Sequence, residues 1–461
     1  MASIQADLTA YSAALKTRYS PDGMTEMMQE ITPFFTLVKK DNRNTGNVFA
    51  QPVAYSGGTM VSPNLANLIT SANGGAAVAN AAPYPYVASQ QAVFQLTRAR
   101  TYGLARLDIQ TIRASSDKEG AFEELIEHEV DRTVNSVAVR VASLLYGTGT
   151  GSMGQISSAV GSVTSGTTIT LADPTNAQYW QIGDVVFASA TDGSALRTGT
   201  SLGYVAITGI NYIAGTLTAA VNWNANTASA QGINGLSTGD FLYHADEGAN
   251  GSTNPAGVTT STGWTVPVGI QAWLQGGNLS TADSFGTNGV NRSVSSRLAG
   301  LNFTFSGVPL DECANRALAA IYANGGKPSH LFLNPVTWGA FVNLLQGKVT
   351  YFRQAPKDAS QSMVGFESIK VYTPGGSIVD VVADPFCPSS KMCVLQMDTW
   401  ALRATDPVPY IQDTEGGSSG DQLLRVAASD QVELRVAAYY QLVCRAPGWN
   451  ALVNIDPAVS Y

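Results

Sequence analysis

The sequence is short of charge. Asp, Glu, Lys and Arg make up 13% of its 461 residues, about half the ~25% usual in soluble domains. What charge there is sums to −8 at neutral pH, so no overall basic field exists to hold nucleic acid. Histidine is rare: His128, His244 and His330 lie far apart in sequence. Four cysteines (Cys313, Cys387, Cys393, Cys444) show neither a C-x-x-C nor a metal-type spacing, so neither a zinc site nor a disulfide framework is indicated. No apolar run approaches the ~20 residues of a membrane span. The opening M-A-S-I-Q-A-D-L-T has no basic stretch leading into an apolar one, and no secretory signal is expected. Gly, Ala, Ser and Thr fill the space left by charge. That profile suits a β-rich chain with much of its surface hidden in assembly.

Catalytic strings fail on context. Gly149-x-Gly151-x-x-Gly154 matches the dinucleotide fingerprint, but it follows a helical pattern where the fingerprint must follow a strand and open a helix. A flexible connector is the plainer reading. Gly416-x-Ser418-x-Gly420 matches a nucleophile elbow but sits in the polar loop D-T-E-G-G-S-S-G-D. Glu124, His128 and Asp131 have the spacing of metal ligands on one helix face. They sit among further acids (Glu127, Glu129), with no second cluster to complete a site, and read as a solvated acidic face. His330 opens a strand and is expected to pack or cap. No catalytic, cofactor-binding or metal-binding residue is therefore assigned, no cofactor is expected, and the chain does not read as an enzyme.

The strongest pattern runs from Ser115 to Gln155. Phe122, Ile126, Val130, Val134, Val137, Val141 and Leu144/Leu145 recur three or four apart, one stripe of a helix. Ser116-x-x-Glu119 forms a capping box and Gly147 offers a left-handed stop. A helix over 118–146 would be about 43 Å long at ~1.5 Å per residue. It reads as a spar laid on a sheet.

Around it the chain changes character several times. Residues 1–45 form an arm with short apolar patches, broken at Ser20-Pro21-Asp22-Gly23 and Thr32-Pro33. V-F-A-Q-P-V-A-Y (48–55) and A-V-F-Q-L-T-R-A-R-T-Y (92–102) alternate like strands and flank a Gly/Asn/Ala/Ser-rich tip. They describe a long two-stranded loop, marginal alone in water and expected to lie on another subunit. Residues 155–265 offer short strands at 168–171, 184–187, 204–208, 216–218 and 240–244, an all-β sandwich or barrel. Gly183-Asp184 and Gly239-Asp240 each open a strand, a faint echo short of a tandem repeat. An α+β block follows, with helices over 309–323 and 335–345 and strands at 330–333, 366–372, 378–383 and 392–397. The alternation in Q-V-E-L-R-V-A-A-Y-Y-Q-L-V-C-R (431–445) marks one long strand, expected to dock on the long helix.

This order of elements resembles the major capsid protein of tailed bacteriophages, with the Hong Kong 97-type fold. The quoted phrases that carry the resemblance are L-L-Y-G-T-G-T-G-S-M-G (144–154), H-L-F-L-N-P-V-T-W (330–338), D-P-F-C-P-S-S-K-M-C-V-L-Q (384–396) and R-A-P-G-W-N-A-L-V-N-I (445–455). The resemblance implies an α+β fold with an N-terminal arm (1–45), an E-loop (46–100), a peripheral domain with its spine helix (101–154) and an inserted all-β domain (155–265). An axial domain (266–420) and a return to the peripheral domain (421–461) complete it. It further implies hexamers and pentamers of the chain in an icosahedral shell that encloses double-stranded DNA without sequence-specific contacts. Assembly would take place in the host cytoplasm, with a separate scaffolding protein, a portal, a decoration protein among the partners, and no membrane. Some members cross-link their shells through an E-loop lysine. Here no lysine occurs between Lys40 and Lys118, so non-covalent overlap is expected. An encapsulin-like compartment shares the fold, and a β-rich adhesin or carbohydrate-binding protein built around 155–265 is the alternative from another class.

Overall fold

The computed structural model describes residues 32–42, 48–56, 89–108, 125–157, 166–193, 196–197, 203–224, 232–244, 266–276, 292, 295–346, 369–412, 424–425 and 430–455. In chain order the elements are α1 (Pro33–Leu37), β1 (Lys39–Asp41), β2 (Val48–Ser56), β3 (Gln90–Thr97), β4 (Ala99–Asp108) and α2 (Leu125–Leu145). Next come β5 (Ser152–Gln155), β6 (Thr168–Thr170), β7 (Val185–Ser189), β8 (Val205–Asn211), β9 (Thr216–Ala219) and β10 (Phe241–His244). Then follow α3 (Ile270–Trp273), α4 (Ser296–Ala299), β11 (Leu301–Thr304), α5 (Leu310–Ala323), β12 (His330–Leu333), α6 (Pro335–Gln346), β13 (Ile369–Tyr372), β14 (Ile378–Ala383) and β15 (Lys391–Leu395). The chain closes with β16 (Trp400–Ala404), β17 (Tyr410–Ile411), β18 (Leu424–Arg425), β19 (Gln431–Cys444) and β20 (Ala451–Asn454). Two compact units result: Met1–Glu30 with Tyr102–Val139 and Pro409–Ala437, and Ile31–Thr101 with Arg140–Val408 and Ala438–Tyr461.

The long helix is present as α2, with 21 described residues, about 31 Å at ~1.5 Å per residue. Residues 118–124 and the capping box at Ser116 lie outside the described residues. Along its stripe Val130 and Val134 are half-buried, and Val137, Val141, Leu144 and Leu145 are buried. In the first unit the seat of the helix is β4. A Cβ on Gly103 would stand 2.6 Å from Val137 Cγ2 and 2.9 Å from Thr133 Cγ2, so a bare backbone lets helix and strand meet. β4 also pairs with β19, so the long strand shares a sheet with the strand that seats the helix. The expected one-sided burial does not hold, since Glu433, Ala437, Gln441 and Val443 on the opposite face are buried as well. The helix exit also differs from expectation. Gly147 lacks a positive φ, and the last turn closes by tighter bonds, Tyr146 N–H to Ser143 O and Gly147 N–H to Leu144 O. The left-handed residues are Gly149 and Gly151, both at φ 87°.

Those glycines lead into β5, so the run read as a flexible connector is the entry to a sheet. Strands β5-β10-β7-β8-β9-β6 pair in that order. The bridge Ile156↔Leu171, with Ser157 N–H to Thr170 O (2.9 Å) and Ala172 N–H to Gln155 O (2.7 Å), joins its two ends into a closed barrel. Trp180, Trp223, Val186, Leu217 and Leu242 fill the interior, all fully buried. The glycine–aspartate echo is a structural repeat. Gly183 N–H donates to Ile207 O, and Ile207 N–H to Asp184 O; Gly239 N–H donates to Ile156 O, and Ile156 N–H to Asp240 O. Asp184 accepts Gln181 N–H (2.7 Å) where Asp240 accepts Ser237 N–H (2.8 Å). Pairing is symmetric about Phe187↔Tyr243 and Ile169↔Leu217. β5-β6-β7 and β8-β9-β10 are thus two copies of one unit around a pseudo-twofold axis. Sequence hides this because backbone bonds, satisfied by any residue, carry most of it.

A third layer is the mixed sheet β11-β20-β15-β12-β14-β13. α5 and α6 cover it through Leu318, Ile321, Phe341, Leu331, Val379, Met392 and Val394. α5 starts with Asp311 and Glu312 at its positive end, and left-handed Gly325 follows its last turn. β20 belongs to this sheet, and β16 pairs with β19 instead. Segment 421–461 thus supplies β19 to one sheet and β20 to another, and segment 266–420 likewise contributes strands to both. Thr32-Pro33, read as a break, opens α1, because proline at a first helical position gives up no bond.

Candidate assembly surfaces

β2 and β3 form a two-stranded sheet of their own, in register from Val48↔Thr97 to Ser56↔Gln90. At the base one face is inserted: Phe49, Phe94 and Leu96 are buried. Phe94 meets Trp273 edge-on at 5.0 Å, and Arg403 donates to Ala50 O (3.2 Å) and Gln51 Oε1 (2.7 Å). The other face stays open, with Val48 45% and Val93 43% exposed. The tip at 57–88 lies outside the described residues. From Arg43 to Arg98 the sequence contains no Asp, Glu, Lys or Arg between them. Covering such a surface removes water from no charge, which is the condition for burial against protein at low cost.

The second unit has a joint at Asp384–Ser389. Asp384 is 1% exposed. Its Oδ2 accepts Phe34 N–H (3.0 Å) and Tyr146 O–H (2.9 Å), and its Oδ1 accepts Phe386 N–H (2.9 Å). Burial pushes its carboxyl above the usual value despite these donors. Burial likewise drives Tyr146 well above the ordinary phenol range. Phe34 of α1 fills an aromatic socket of Tyr146 (5.4 Å), Phe332 (5.5 Å) and Trp400 (6.4 Å). On the barrel side the 3-10 turn Pro174–Tyr179 docks on the same residues. Gln178 donates to Pro385 O, and Tyr179 O–H donates to Phe386 O (2.8 Å) with its ring stacked on Phe386. Ser389 N–H and Oγ–H both go to Asp173 Oδ2.

A cleft of about 370 Å³ borders this joint, lined in part by Thr148, Gln155, Asn176, Asp192 and Lys391. Its charged groups are used internally. Asp192 accepts from Thr148, Thr150 and Tyr243, and Lys391 reaches Asn454.

The motifs considered in sequence are scattered. Asp131 is exposed; Glu124 and the His128 side chain lie outside what is described, as do Gly416, Ser418 and Gly420. Among the described residues no group of three or more His, Cys, Asp or Glu is placed to hold a metal. His330 bonds Ser329 Oγ through Nδ1 (2.9 Å) and stacks on Phe332. Burial lowers its pKa, in keeping with a packing role. Sequence reasoning missed Phe34, Asp173, Tyr179 and Asp384. The only signal was D-P-F-C-P, whose two prolines deny a helix and leave an aspartate among apolar residues.

No family profile matches the chain, and no curated protein sequence matches it. Solved structures do. A chain of the cyanophage A-1(L) capsid asymmetric unit is 9% identical, with 97% of this chain and 98% of that one covered at a TM-score of 0.52. The capsid of a native GTA particle is 9% identical over 97% and 98% at a TM-score of 0.45. The SrpI encapsulin of Synechococcus elongatus PCC 7942 is 8% identical over 99% and 97% at 0.41. Only the cyanophage likeness is strong enough to carry an argument, and it shows the fold: this chain shares the mixed α and β fold of that capsid chain, in keeping with the resemblance read from the sequence.

Proposed function

We propose that the chain is the major capsid protein of a tailed phage, a structural subunit that self-assembles into an icosahedral shell around double-stranded DNA. The observation that carries this reading is the end-to-end fold likeness to the cyanophage capsid chain, which leaves almost none of either chain unmatched. Within it, 1–45 is the arm, 46–100 the E-loop, α2 the spine helix, 155–265 an insertion domain and 266–420 the axial domain. Subunits meet as hexamers and pentamers through repeated heterologous contacts closed by symmetry. The charge-free hairpin supports that reading, because it suits a surface covered by a neighbouring copy. A scaffolding protein, portal and decoration protein are the further partners, and assembly takes place in the host cytoplasm.

Electron microscopy of the chain co-expressed with a scaffolding protein tests this directly. Closed shells of uniform diameter are expected; a monodisperse soluble monomer under all conditions refutes it. Particles that enclose a co-purifying protein in place of DNA would select the encapsulin-like alternative. Denaturing gels of mature shells should show single chains, and a ladder of covalent multimers would overturn the reading of the lysine-free E-loop.

A further inference from the structure

The turn Asp384–Ser389 is seated rigidly from below. Asp384 N–H donates to Leu333 O (2.8 Å), Asn334 Nδ2 donates to Cys387 O (2.9 Å), and Thr337 Oγ1 to Ser389 O (2.9 Å). Above that seat it holds two segments distant in sequence: α1 through the Asp384 carboxylate, and the barrel's 3-10 turn through Phe386 O and Ser389. The two attachments are two residues apart at their nearest, Asp384 and Phe386. Phe386 gives its N–H to Asp384 Oδ1 and takes the Tyr179 O–H on its carbonyl.

We propose that this turn couples the two attachments, so that docking of the barrel and docking of the N-terminal helix α1 strengthen each other. The physical route is short. Tyr179 and Asp173 fix the orientation of the 386–389 backbone. That orientation aims the Phe386 N–H at Asp384, and a buried carboxylate with no cation beside it among the described residues depends on every donor it has. Loss of the Tyr179 bond frees Phe386 to turn away and leaves Asp384 with two donors. The carboxylate is then a poorer acceptor site for Phe34 N–H, and α1 opens more often. Tyr179, Asp173 and Asp384 act as positioning residues, and coupling between sites is reciprocal by thermodynamic necessity.

Hydrogen exchange of the full, unassembled chain, read by mass spectrometry, tests this without reference to shell formation. Tyr179→Phe keeps the ring stack and removes the hydroxyl. It should speed exchange in the peptide covering 33–41 by about fivefold or more, the lower end of typical coupling. Asp384→Asn should speed exchange at 172–180 by a similar factor, while α5 stays at the wild-type rate in both. Unchanged exchange at 33–41 in Tyr179→Phe overturns the proposal, as does a uniform rise across all peptides. If Tyr179→Phe does not fold, Asp173→Asn is read in the same way. Failure to form shells would refute the proposed function and leave this result untouched.

Discussion

Replacing Gly103 by alanine probes the contact that seats the long helix. The added Cβ would stand 2.6 Å from Val137 Cγ2 and 2.9 Å from Thr133 Cγ2. Both distances are far inside the ~3.5–4.0 Å optimum for carbon pairs. Val137 is 3% exposed, and its β-branched side chain in a helix has one strongly favoured rotamer, so it cannot swing aside. Helix and strand must separate, and over-packing of this kind costs about 1–3 kcal/mol. Exchange at 129–139 reports it locally. Val137→Ala alone should cost about 1–2 kcal/mol for lost burial. The double variant should recover at least half of the Gly103→Ala penalty, a coupling of about 1 kcal/mol, within the range for touching residues. Wild-type exchange in Gly103→Ala, or strict additivity in the double variant, would refute the contact.

Asp384 makes a signed pH prediction. Burial raises its carboxyl pKa above the ordinary value of 3.8, so the folded chain keeps this proton to higher pH than the unfolded one. The favourable contribution is complete below the unfolded pKa and is lost as pH rises through the folded one. Denaturation midpoints of wild type and Asp384→Asn should therefore move in the variant's favour as pH rises from about 4; a difference that stays flat or moves the other way would refute this. Trp180 is fully buried in the barrel, and Trp180→Ala should cost about 3–5 kcal/mol there. Limited proteolysis should then cut within 152–244 before it cuts within 310–346, and equal cleavage of both would argue against a separate barrel core. All four cysteines are buried, and burial pushes Cys444 up to about 12. A thiol reagent at neutral pH should label none of them until denaturant is added, and rapid labelling of the folded chain would contradict the packing.

Local pattern determined much of this protein. The 3.6-residue stripe of α2, the alternation of β19, the hairpin arms and five of the six barrel strands were legible because each depends on neighbours within a few residues. Their order was enough to point to a capsid fold. Tertiary structure alone decided the rest. β5 escaped because S-M-G-Q has no strand pattern, and partners in β10 and the bridge to Leu171 hold it extended. The barrel's twofold repeat rests on backbone bonds that side chains do not record. α1 was hidden because a five-residue helix owes its stability to the socket around Phe34, formed by residues from 146 to 400. Asp384, isolated in an apolar phrase, gained its role only when α1, Tyr146 just past α2 and its own turn aimed three donors at one carboxylate.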